Sequence, residues 1–407
     1  MSLPRKWPTP WVFCLLILPL GMVIGFNFTA LPFLLTQAGV PVHQIASINS
    51  VSNLPGVLGI VLSPIVDIKL RRRAWLAIGA FGTAAGACLY FPLIGASHLA
   101  LLTIAIFVSG MVTFFVVAAS GGMMVRLLNE TDQSRAAAWT QVGVLAGGAI
   151  SGSVLIWLAE RTTLITVGLC FAGVAALLGL IPLTISEPAP APSAWFSGRF
   201  STIGREILSL ARSGRRGWGT LLLLSPCSTG AAQSLLPAIA SQYGVGASGV
   251  EWINGLGGGV ALAAGALLAT LVPGKWDRRL SYAAAGVLNA LAAVLLMAAN
   301  RHAVYLIGTA LYLVTQGLCW ARSVALMVEI VGAESRDAST LYSILNGAVT
   351  IPLLYMIWLD GVGFRALGSR GLLGVDAGAN IIVFCVVLAA LAFRRRSRQA
   401  TGVASPH

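Results

Sequence analysis

Twelve apolar segments, each long enough to cross a lipid bilayer, occupy most of this sequence. A transmembrane helix needs about 20 mostly apolar residues. The first six segments are 11–35, 44–66, 74–95, 100–128, 136–159 and 164–185. The second six are 218–242, 250–272, 280–299, 303–331, 338–359 and 377–393. Because backbone polar groups cannot stay unpaired in lipid, this pattern predicts an all-α membrane protein with twelve transmembrane helices.

The composition fits a protein that faces lipid rather than water. Only 10% of the 407 residues are charged, whereas about 25% of the residues in a soluble domain are charged. The net charge of +13 comes from basic residues between the apolar segments, so the expected partner is a lipid bilayer and not nucleic acid. The six cysteines lie inside apolar runs, and none forms a C-x-x-C pair. Neither a metal site nor a cofactor is therefore expected.

The second half of the chain repeats the first. Matching residues stand 205 positions apart: Gly25 with Gly230, Leu31 with Leu236, Pro32 with Pro237, Gln37 with Gln242, Gly39 with Gly244 and Asn49 with Asn254. Such a repeat predicts two six-helix halves with a solute site between them near mid-membrane. The predicted boundaries are 1–186, a linker at 187–217, and 218–407. Apolar residues at helical spacing in the linker predict an amphipathic helix on the cytoplasmic leaflet.

The distribution of basic residues predicts the orientation of the chain. Cytoplasmic loops of membrane proteins carry an excess of Lys and Arg. Most of the basic residues fall on one side of the predicted topology, together with both termini and the linker, and Arg161, Arg301, Arg365 and Arg370 fall on the other. We therefore expect an integral protein of a plasma membrane, such as the bacterial inner membrane, with both termini in the cytoplasm.

The loop between the second and third segments carries a family signature. Residues 63–72 read Ser-Pro-Ile-Val-Asp-Ile-Lys-Leu-Arg-Arg, against the pattern G-x-x-x-D-R-x-G-R-R of the major facilitator superfamily. Asp67, Arg71 and Arg72 match, whereas the two glycines and the first arginine of the pattern are replaced. With the topology and the repeat, the chain resembles this superfamily over essentially its whole length.

The resemblance has a finer level and implies a mechanism. Segments 31–40, 64–67 and 372–377 look like the branch that holds muropeptide permeases and acetyl-CoA transporters. The superfamily fold consists of two six-helix pseudo-repeats, and its members transport solutes by alternating access. Its first, fourth, seventh and tenth spans line a central cavity. The sequence holds no nucleotide-binding signature, so an ion gradient, with protons as the expected coupling ion, or the substrate's own gradient would drive transport.

Polar residues within the spans are the candidates for binding a small-molecule substrate. The set is Arg322 and Gln316 on the tenth span, Asn27 on the first, Gln233 on the seventh, and Tyr342 and Asn346 on the eleventh. A charge in a span usually faces a cavity, and a guanidinium binds carboxylate or phosphate with two parallel hydrogen bonds. The alternative for Arg322 is a structural bond to carbonyls or to a neighbouring acid. For the uncharged residues the alternative is helix packing.

Charged residues near the cytoplasmic ends of the spans are the candidates for a gate. The first half offers Asp67, Arg71, Arg72 and Arg126, and the second offers Asp277, Arg278, Arg279 and Glu329. Glu329 stands two helical turns after Arg322, roughly 10 Å away at about 1.5 Å per residue. It should therefore sit level with Arg278 and Arg279. The family signature implies that these groups hold the cytoplasmic side closed.

The sequence therefore predicts a secondary active transporter that moves a small anionic solute and couples this transport to protons. A drug or sugar efflux antiporter of the same superfamily is one alternative, because the glycine-rich fifth span resembles the antiporter signature without its Gly-Pro step. A membrane-embedded transferase and a non-transporting receptor are alternatives of another class. We expect no enzyme, because no histidine falls within a span and the acids are scattered.

Overall fold

The computed structural model describes residues 9–62, 66, 70–128, 130–187, 214–272, 276–331 and 344–400. Within these ranges the chain is helical and contains no strand, which confirms the predicted all-α fold. The predicted amphipathic helix of the linker, Asp67 and Tyr342 lie outside the described residues, as does the side chain of Arg126.

Six helices form the first part of the chain. They are α1 (Val12–Gln37), α2 (Val42–Leu62), α3 (Arg72–Tyr90), α4 (Leu99–Leu127), α5 (Glu130–Ala159) and α6 (Leu164–Leu180). A π-helical turn, Phe26–Ala30, interrupts the α-helical geometry of α1. The helix nevertheless continues across it, because the turn leads directly into the helix Leu31–Gln37.

The second part of the chain also makes six passes. It consists of α7, which begins with Gly214–Leu223 and resumes at Leu236–Ile239, α8 (Ala247–Leu268), α9 (Arg278–Met297), α10 (His302–Val331), α11 (344–366) and α12 (369–400). The prediction of one continuous span at 218–242 is wrong, because α7 leaves helical geometry between these two pieces.

The last two predicted spans are corrected as well. A two-residue turn at Leu367 and Gly368 joins α11 to α12, and Gly368 has a φ of 63°. The two helices fold back on each other so closely that a Cβ on Gly363 would lie 2.6 Å from the carbonyl oxygen of Gly371. The helices thus extend well beyond the predicted limits of 359 and 377. Residues that we expected in a loop lie inside the membrane-spanning helices.

Nine described stretches are long and apolar enough to cross a membrane. One of them, Ile344–Phe393, contains the turn at Leu367 and so makes two passes. The remaining two passes are α2 and the interrupted α7. The described residues therefore trace the predicted twelve passes.

Small residues let α1 and α5 pack at short distance. A Cβ on Gly21 would lie 2.7 Å from the carbonyl oxygen of Gly143, and a Cβ on Gly152 would lie 2.9 Å from Cβ of Thr29. Helices in lipid associate through close packing of this kind, because lipid offers no hydrophobic driving force between them. The glycines of the fifth span therefore serve helix packing in this structure.

The two sets of helices meet at several places, chiefly where α2 packs on α11, α5 on α8, and α1 on α7. Ser153 Oγ of α5 donates to the carbonyl of Glu251 at 2.7 Å and accepts from the amide of Leu256 at 3.0 Å. On the other side Ser50 Oγ of α2 donates to the carbonyl of Leu354 at 2.9 Å. Hydroxyl and backbone groups thus pair across the interface between the halves.

Candidate functional site

The break in α7 brings polar groups to the centre of the molecule. Pro226 supplies no N–H and clashes with the preceding turn, which interrupts a helix. Gly230 then takes a left-handed conformation with a φ of 66°, and Ser228 has a φ of 59°. The chain re-enters helical geometry through the 3-10 turn Ala231–Ser234. Hydropathy could not reveal this break, although the sequence Ser-Pro-Cys-Ser-Thr-Gly is typical of one.

Side chains from three helices hold the broken segment. Tyr282 of α9 donates to the carbonyl of Cys227 at 2.8 Å, and Tyr355 of α11 donates to the carbonyl of Leu224 at 2.9 Å. Asn380 of α12 accepts from the amide of Ser228 at 2.7 Å. Backbone groups that leave a helix inside a membrane need such partners. The break is therefore a built element of the fold.

Amide side chains with unused hydrogen-bonding atoms gather around this break. The π turn Phe26–Ala30 of α1 packs against Ala231–Ser234 of α7, which brings the segments that carry Asn27 and Gln233 together. Asn27 is 3% exposed. Its Oδ1 and the Oε1 of Gln233 are buried without a hydrogen-bond partner among the described residues. Buried polar atoms normally have a hydrogen-bond partner. These two oxygens can therefore accept a hydrogen bond from a ligand or from water.

Gln316 of α10 joins them from the other side of the break. Its side chain is fully buried, and neither Oε1 nor Nε2 has a hydrogen-bond partner within the described part of the chain. The amide lies against Gly230, where a Cβ would overlap it. Glycine at 230 thus serves two needs, a positive φ and room for Gln316.

Arg322 is a buried cation without a counter-ion. It lies six residues beyond Gln316 on α10, about 9 Å along the helix axis, and is 9% exposed. In the ranges that the structure covers it makes no ion pair and no hydrogen bond, and its Nε is buried without a partner. The positive charge of Arg278 repels that of Arg322 and does not compensate it. Neither form of the structural alternative, a bond to carbonyls or to a neighbouring acid, is seen among these residues.

Two carboxyl groups that the sequence analysis missed lie within the second half. Asp360 of α11 and Asp376 of α12 are both 0% exposed. The hydroxyl of Tyr312 on α10 donates to Asp376 Oδ2 at 3.0 Å. Both oxygens of Asp360 are without a hydrogen-bond partner among the described residues. Sequence reasoning had placed these acids in a loop, because a turn of two residues inside an apolar stretch leaves no trace in hydropathy.

Comparison with known proteins identifies the family. The sequence profile described as Major Facilitator Superfamily matches residues 13–225, more than half of the chain. The chain belongs to the major facilitator superfamily. It is therefore an integral membrane protein of a superfamily of transporters. No curated protein sequence matches it.

Solved structures of superfamily members agree with this fold. A D-xylose-proton symporter aligns with a TM-score of 0.73 at 13% identity, over 93% of this chain and 97% of its own. The nucleoside transporter NupG aligns with a TM-score of 0.71 at 13% identity, over 93% of this chain and 98% of its own. At such low identity the likeness concerns the fold alone. The match to the muropeptide permease and acetyl-CoA transporter branch stays a prediction.

The charged groups at the predicted cytoplasmic end of the second half form a compact cluster. Arg279 Nη2 lies 3.0 Å from Glu329 Oε1, and Arg278 Nε lies 3.9 Å from Glu329 Oε2. Glu329 is thus level with both arginines, as its spacing from Arg322 predicts. Asp277 caps the N-terminus of α9, because its side chain accepts from the amides of Arg279 and Leu280. All these contacts lie within one half, and a gating role stays a prediction.

Of the corresponding residues of the first half, the structure describes the side chains of Arg71 and Arg72. Arg72 Nη1 donates to the carbonyl of Gly122 at 2.8 Å. Arg71 is exposed at the start of α3, without a side-chain bond that caps the helix.

Asn346, a predicted substrate ligand, is exposed near the beginning of α11. The described contacts do not bring it to Asn27, Gln316 or Arg322.

Proposed function

We propose that this protein is a secondary active transporter that moves a small anionic solute by alternating access and uses a proton gradient. The observation that carries the proposal is Arg322, whose side chain is 9% exposed, whose Nε is buried without a partner, and whose guanidinium has no counter-ion among the described residues. Removing a cation from water costs several kcal/mol unless an anion or hydrogen bonds compensate it. A carboxylate or phosphate on the solute supplies both.

The unpartnered amides supply the rest of the solute site. Gln316 and Gln233 belong to the second half, and Asn27 belongs to the first. A solute that binds Asn27 together with the groups of the second half links the two halves. The affinity of the protein for this solute then differs between the outward-facing state and the inward-facing state, because the two halves are tilted differently in them. Such a difference in affinity is what lets a ligand shift a conformational equilibrium.

The contacts between the halves support an inward-facing state. Thr36 Oγ1 of α1 donates to the carbonyl of Ala238 at 3.3 Å, and Asn49 Nδ2 of α2 donates to the carbonyl of Ser234 at 3.3 Å. Like the bonds of Ser50 and Ser153, they lie in the predicted outer halves of the helices or near their middle. We infer a closed outer side, with both termini in the cytoplasm and the halves divided at the linker 187–217.

The test is a thermal-shift screen of the purified protein against carboxylates and phosphate esters, repeated on Arg322→Ala. A ligand of the wild type should lose most of its stabilising effect in the variant. Arg161→Ala is the matched control, because Arg161 is an exposed arginine stacked 4.4 Å from the ring centre of Trp157. A ligand should then be transported in proteoliposomes, with faster uptake under a pH gradient. An anion that stabilised Arg322→Ala as well as the wild type would remove the basis of the proposal.

A neutral polyhydroxylated solute is the second candidate. The observation that favours it is the set of unpartnered amides, since Asn and Gln side chains pair well with hydroxyl groups. The solved D-xylose-proton symporter shares the fold. In the same screen a sugar or nucleoside should stabilise the wild type and Arg322→Ala equally and should lose its effect in Gln316→Ala.

A further inference from the structure

We propose that Asp360 and Asp376 form a proton-binding site, and that proton binding there controls the break in α7. The proposal rests on the proposed proton-driven transport for its role, although the site itself can be tested without any solute. It concerns a place distinct from Arg322. Tyr312, which contacts Asp376, stands ten residues before Arg322 on α10, about 15 Å along the helix axis.

The two carboxyl groups lie together in the interior. The hairpin of α11 and α12 is tightly packed at Gly363 and Gly371, and Asp360 and Asp376 lie about one helical turn from this contact, each on its own helix. Both side chains are fully buried. Two adjacent carboxylates cannot both be charged at such a place without strong repulsion. The pair therefore behaves as one unit that holds or releases a proton.

The hydrogen bonds distinguish the two members of the pair. Asp376 receives the hydroxyl of Tyr312 on Oδ2, whereas its Oδ1 and both oxygens of Asp360 have no partner within the described ranges. No arginine or lysine there forms an ion pair with either acid. A carboxylate that lacks donors and a counter-ion is costly to bury, and a bound proton removes that cost. Asp360 is therefore the member that holds the proton.

The groups around the pair leave the carboxyls as the sites of protonation. Those that face them or pack against their helices are Tyr312 and Cys319 of α10, Cys227 of α7, Tyr282 of α9 and the backbone of His43 on α2, with Arg365 and Arg370 exposed beside the turn. Thiols and phenols ordinarily ionise at about pH 8.5 and 10. They remain neutral where a transporter works, so they do not compete for the proton.

Asn380 of α12 links the break in α7 to the helix turn that carries Asp376. Asn380 accepts from the amide of Ser228 at 2.7 Å and donates to the carbonyl of Asp376 at 2.9 Å. The turn Ala231–Ser234, which follows the break, packs against the α11–α12 hairpin that carries the two acids. An ionised carboxylate holds an N–H about twice as strongly as a neutral acceptor does. Release of the proton from Asp360 adds a negative charge to the pair beside this turn, which strengthens the attraction of the pair for backbone N–H groups, and proton binding weakens that attraction.

Movement of the break would reach both the solute site and the outer contact. Ala232 precedes Gln233, and the turn that contains both packs against the π turn of α1. The outer ends of α1 and α7 meet at a crevice of about 200 Å³ that Phe33, Gln37 and Ser241 help to line. The charge on the acid pair thus biases the opening of the outer side.

The first experiment detects the proton directly. Infrared spectra of the full-length protein in lipid vesicles are recorded over a range of pH, and the carbonyl stretching band of protonated carboxyl groups is measured. We expect a band that is lost in Asp360→Asn, shifted in Tyr312→Phe and unchanged in Glu160→Gln, a control in an exposed turn. A band of wild-type intensity in both Asp360→Asn and Asp376→Asn would overturn the site. Asparagine suits this test because Asp360 accepts no hydrogen bond that the substitution would remove.

The second experiment measures the coupling to α7. Spin labels are placed on Gln37 and Ser241 after serine replaces the exposed Cys88, Cys170 and Cys385. We expect the distance between the labels to change with pH in the wild type and in Glu160→Gln, and not in Asp360→Asn. An equal response in Asp360→Asn overturns the coupling. A response to sodium at constant pH, without one to pH, assigns the site to a metal cation and overturns the proton. Neither readout uses a solute, so a failure of the anion site at Arg322 leaves both intact.

Discussion

Helices α1 and α7 depart from α-helical geometry at the same place in the repeat, but in different ways. After Gly25, α1 makes one π turn and continues as a helix. Gly230, the repeat partner of Gly25, lies instead at the end of a non-helical segment of α7. Pro226 and the positive φ of Gly230 account for the difference. Both copies of the repeat thus depart from α-helical geometry at this place, which we call the weak point of each helix, and only the second copy loses helical geometry altogether.

The surroundings of the two weak points differ in the same sense. Phe26 in the π turn of α1 stacks on Tyr90 at 4.8 Å and contacts Phe91 and Phe171. The break in α7 is held instead by hydrogen bonds, one that Tyr282 donates to the carbonyl of Cys227 and one that Asn380 accepts from the amide of Ser228. Aromatic packing is insensitive to protons, whereas hydrogen bonds near a carboxyl pair depend on its charge. The comparison suggests that α1 serves as the fixed element and α7 as the movable one.

The largest expected effect separates the break from an ordinary turn. Gly230→Ala and Gly244→Ala both place a side chain at a positive φ, at a cost of about 1–2 kcal/mol. Only at 230 does the new Cβ overlap Gln316, whereas at 244 nothing lies within 4 Å. Gly230→Ala should therefore cost a further 1–3 kcal/mol, roughly the penalty for overpacking. Thermal unfolding in detergent measures both variants.

A double variant sharpens this prediction. Gln316→Ala removes the side chain against which the new methyl group would press. Gly230→Ala combined with Gln316→Ala should recover most of the extra loss and keep only the cost of the backbone conformation. A double variant that instead loses as much stability as the two single variants together would contradict this. In that case removal of the Gln316 side chain does not relieve the overlap, and the account of the break is incorrect.

Sequence reasoning reached the architecture but not the break, for a physical reason. The membrane imposes segments of fixed length and apolar composition, so hydropathy counts passes reliably. It is blind to backbone geometry within a pass. The interruption at 224–230 and the turn at Leu367 both occur inside apolar stretches, and the turn hid the burial of Asp360 and Asp376. Arg322 could be singled out, because a charge in an apolar span is visible without any structure.

The next largest effect compares two buried tyrosines, one beside each weak point. Tyr282 donates to the carbonyl of Cys227 in the break, whereas the hydroxyl of Tyr90, stacked on Phe26, has no hydrogen-bond partner among the described residues. Tyr282→Phe should lower the free energy of unfolding by about 1 kcal/mol. Tyr90→Phe should leave it unchanged or raise it slightly. The two melting curves give the answer, and equal losses would show that the break is not held by polar contacts.

The smallest effect concerns the outer contact between the two helices themselves. Thr36 donates both to the carbonyl of Pro32 within α1 and to that of Ala238 in α7, the latter at 3.3 Å. Thr36→Val removes this bond and keeps the shape. A bond of that length is worth about 0.5 kcal/mol, so the ratio of closed to open outer sides should fall roughly twofold.

The control for this change is Thr103→Val in α4, which loses the same bond to its own helix, from Thr103 to the carbonyl of Leu99, at 2.7 Å. The label distance between Gln37 and Ser241 reports both variants. The two substitutions differ only in the contact with α7, so a shift in Thr36→Val without one in Thr103→Val isolates that contact. Equal shifts would mean that the loss of a threonine bond within a helix, and not the contact of Thr36 with α7, changes the distance. In that case the outer side would be closed by packing around the break, and the acid pair would act through the position of Ala232 rather than through the end of α7.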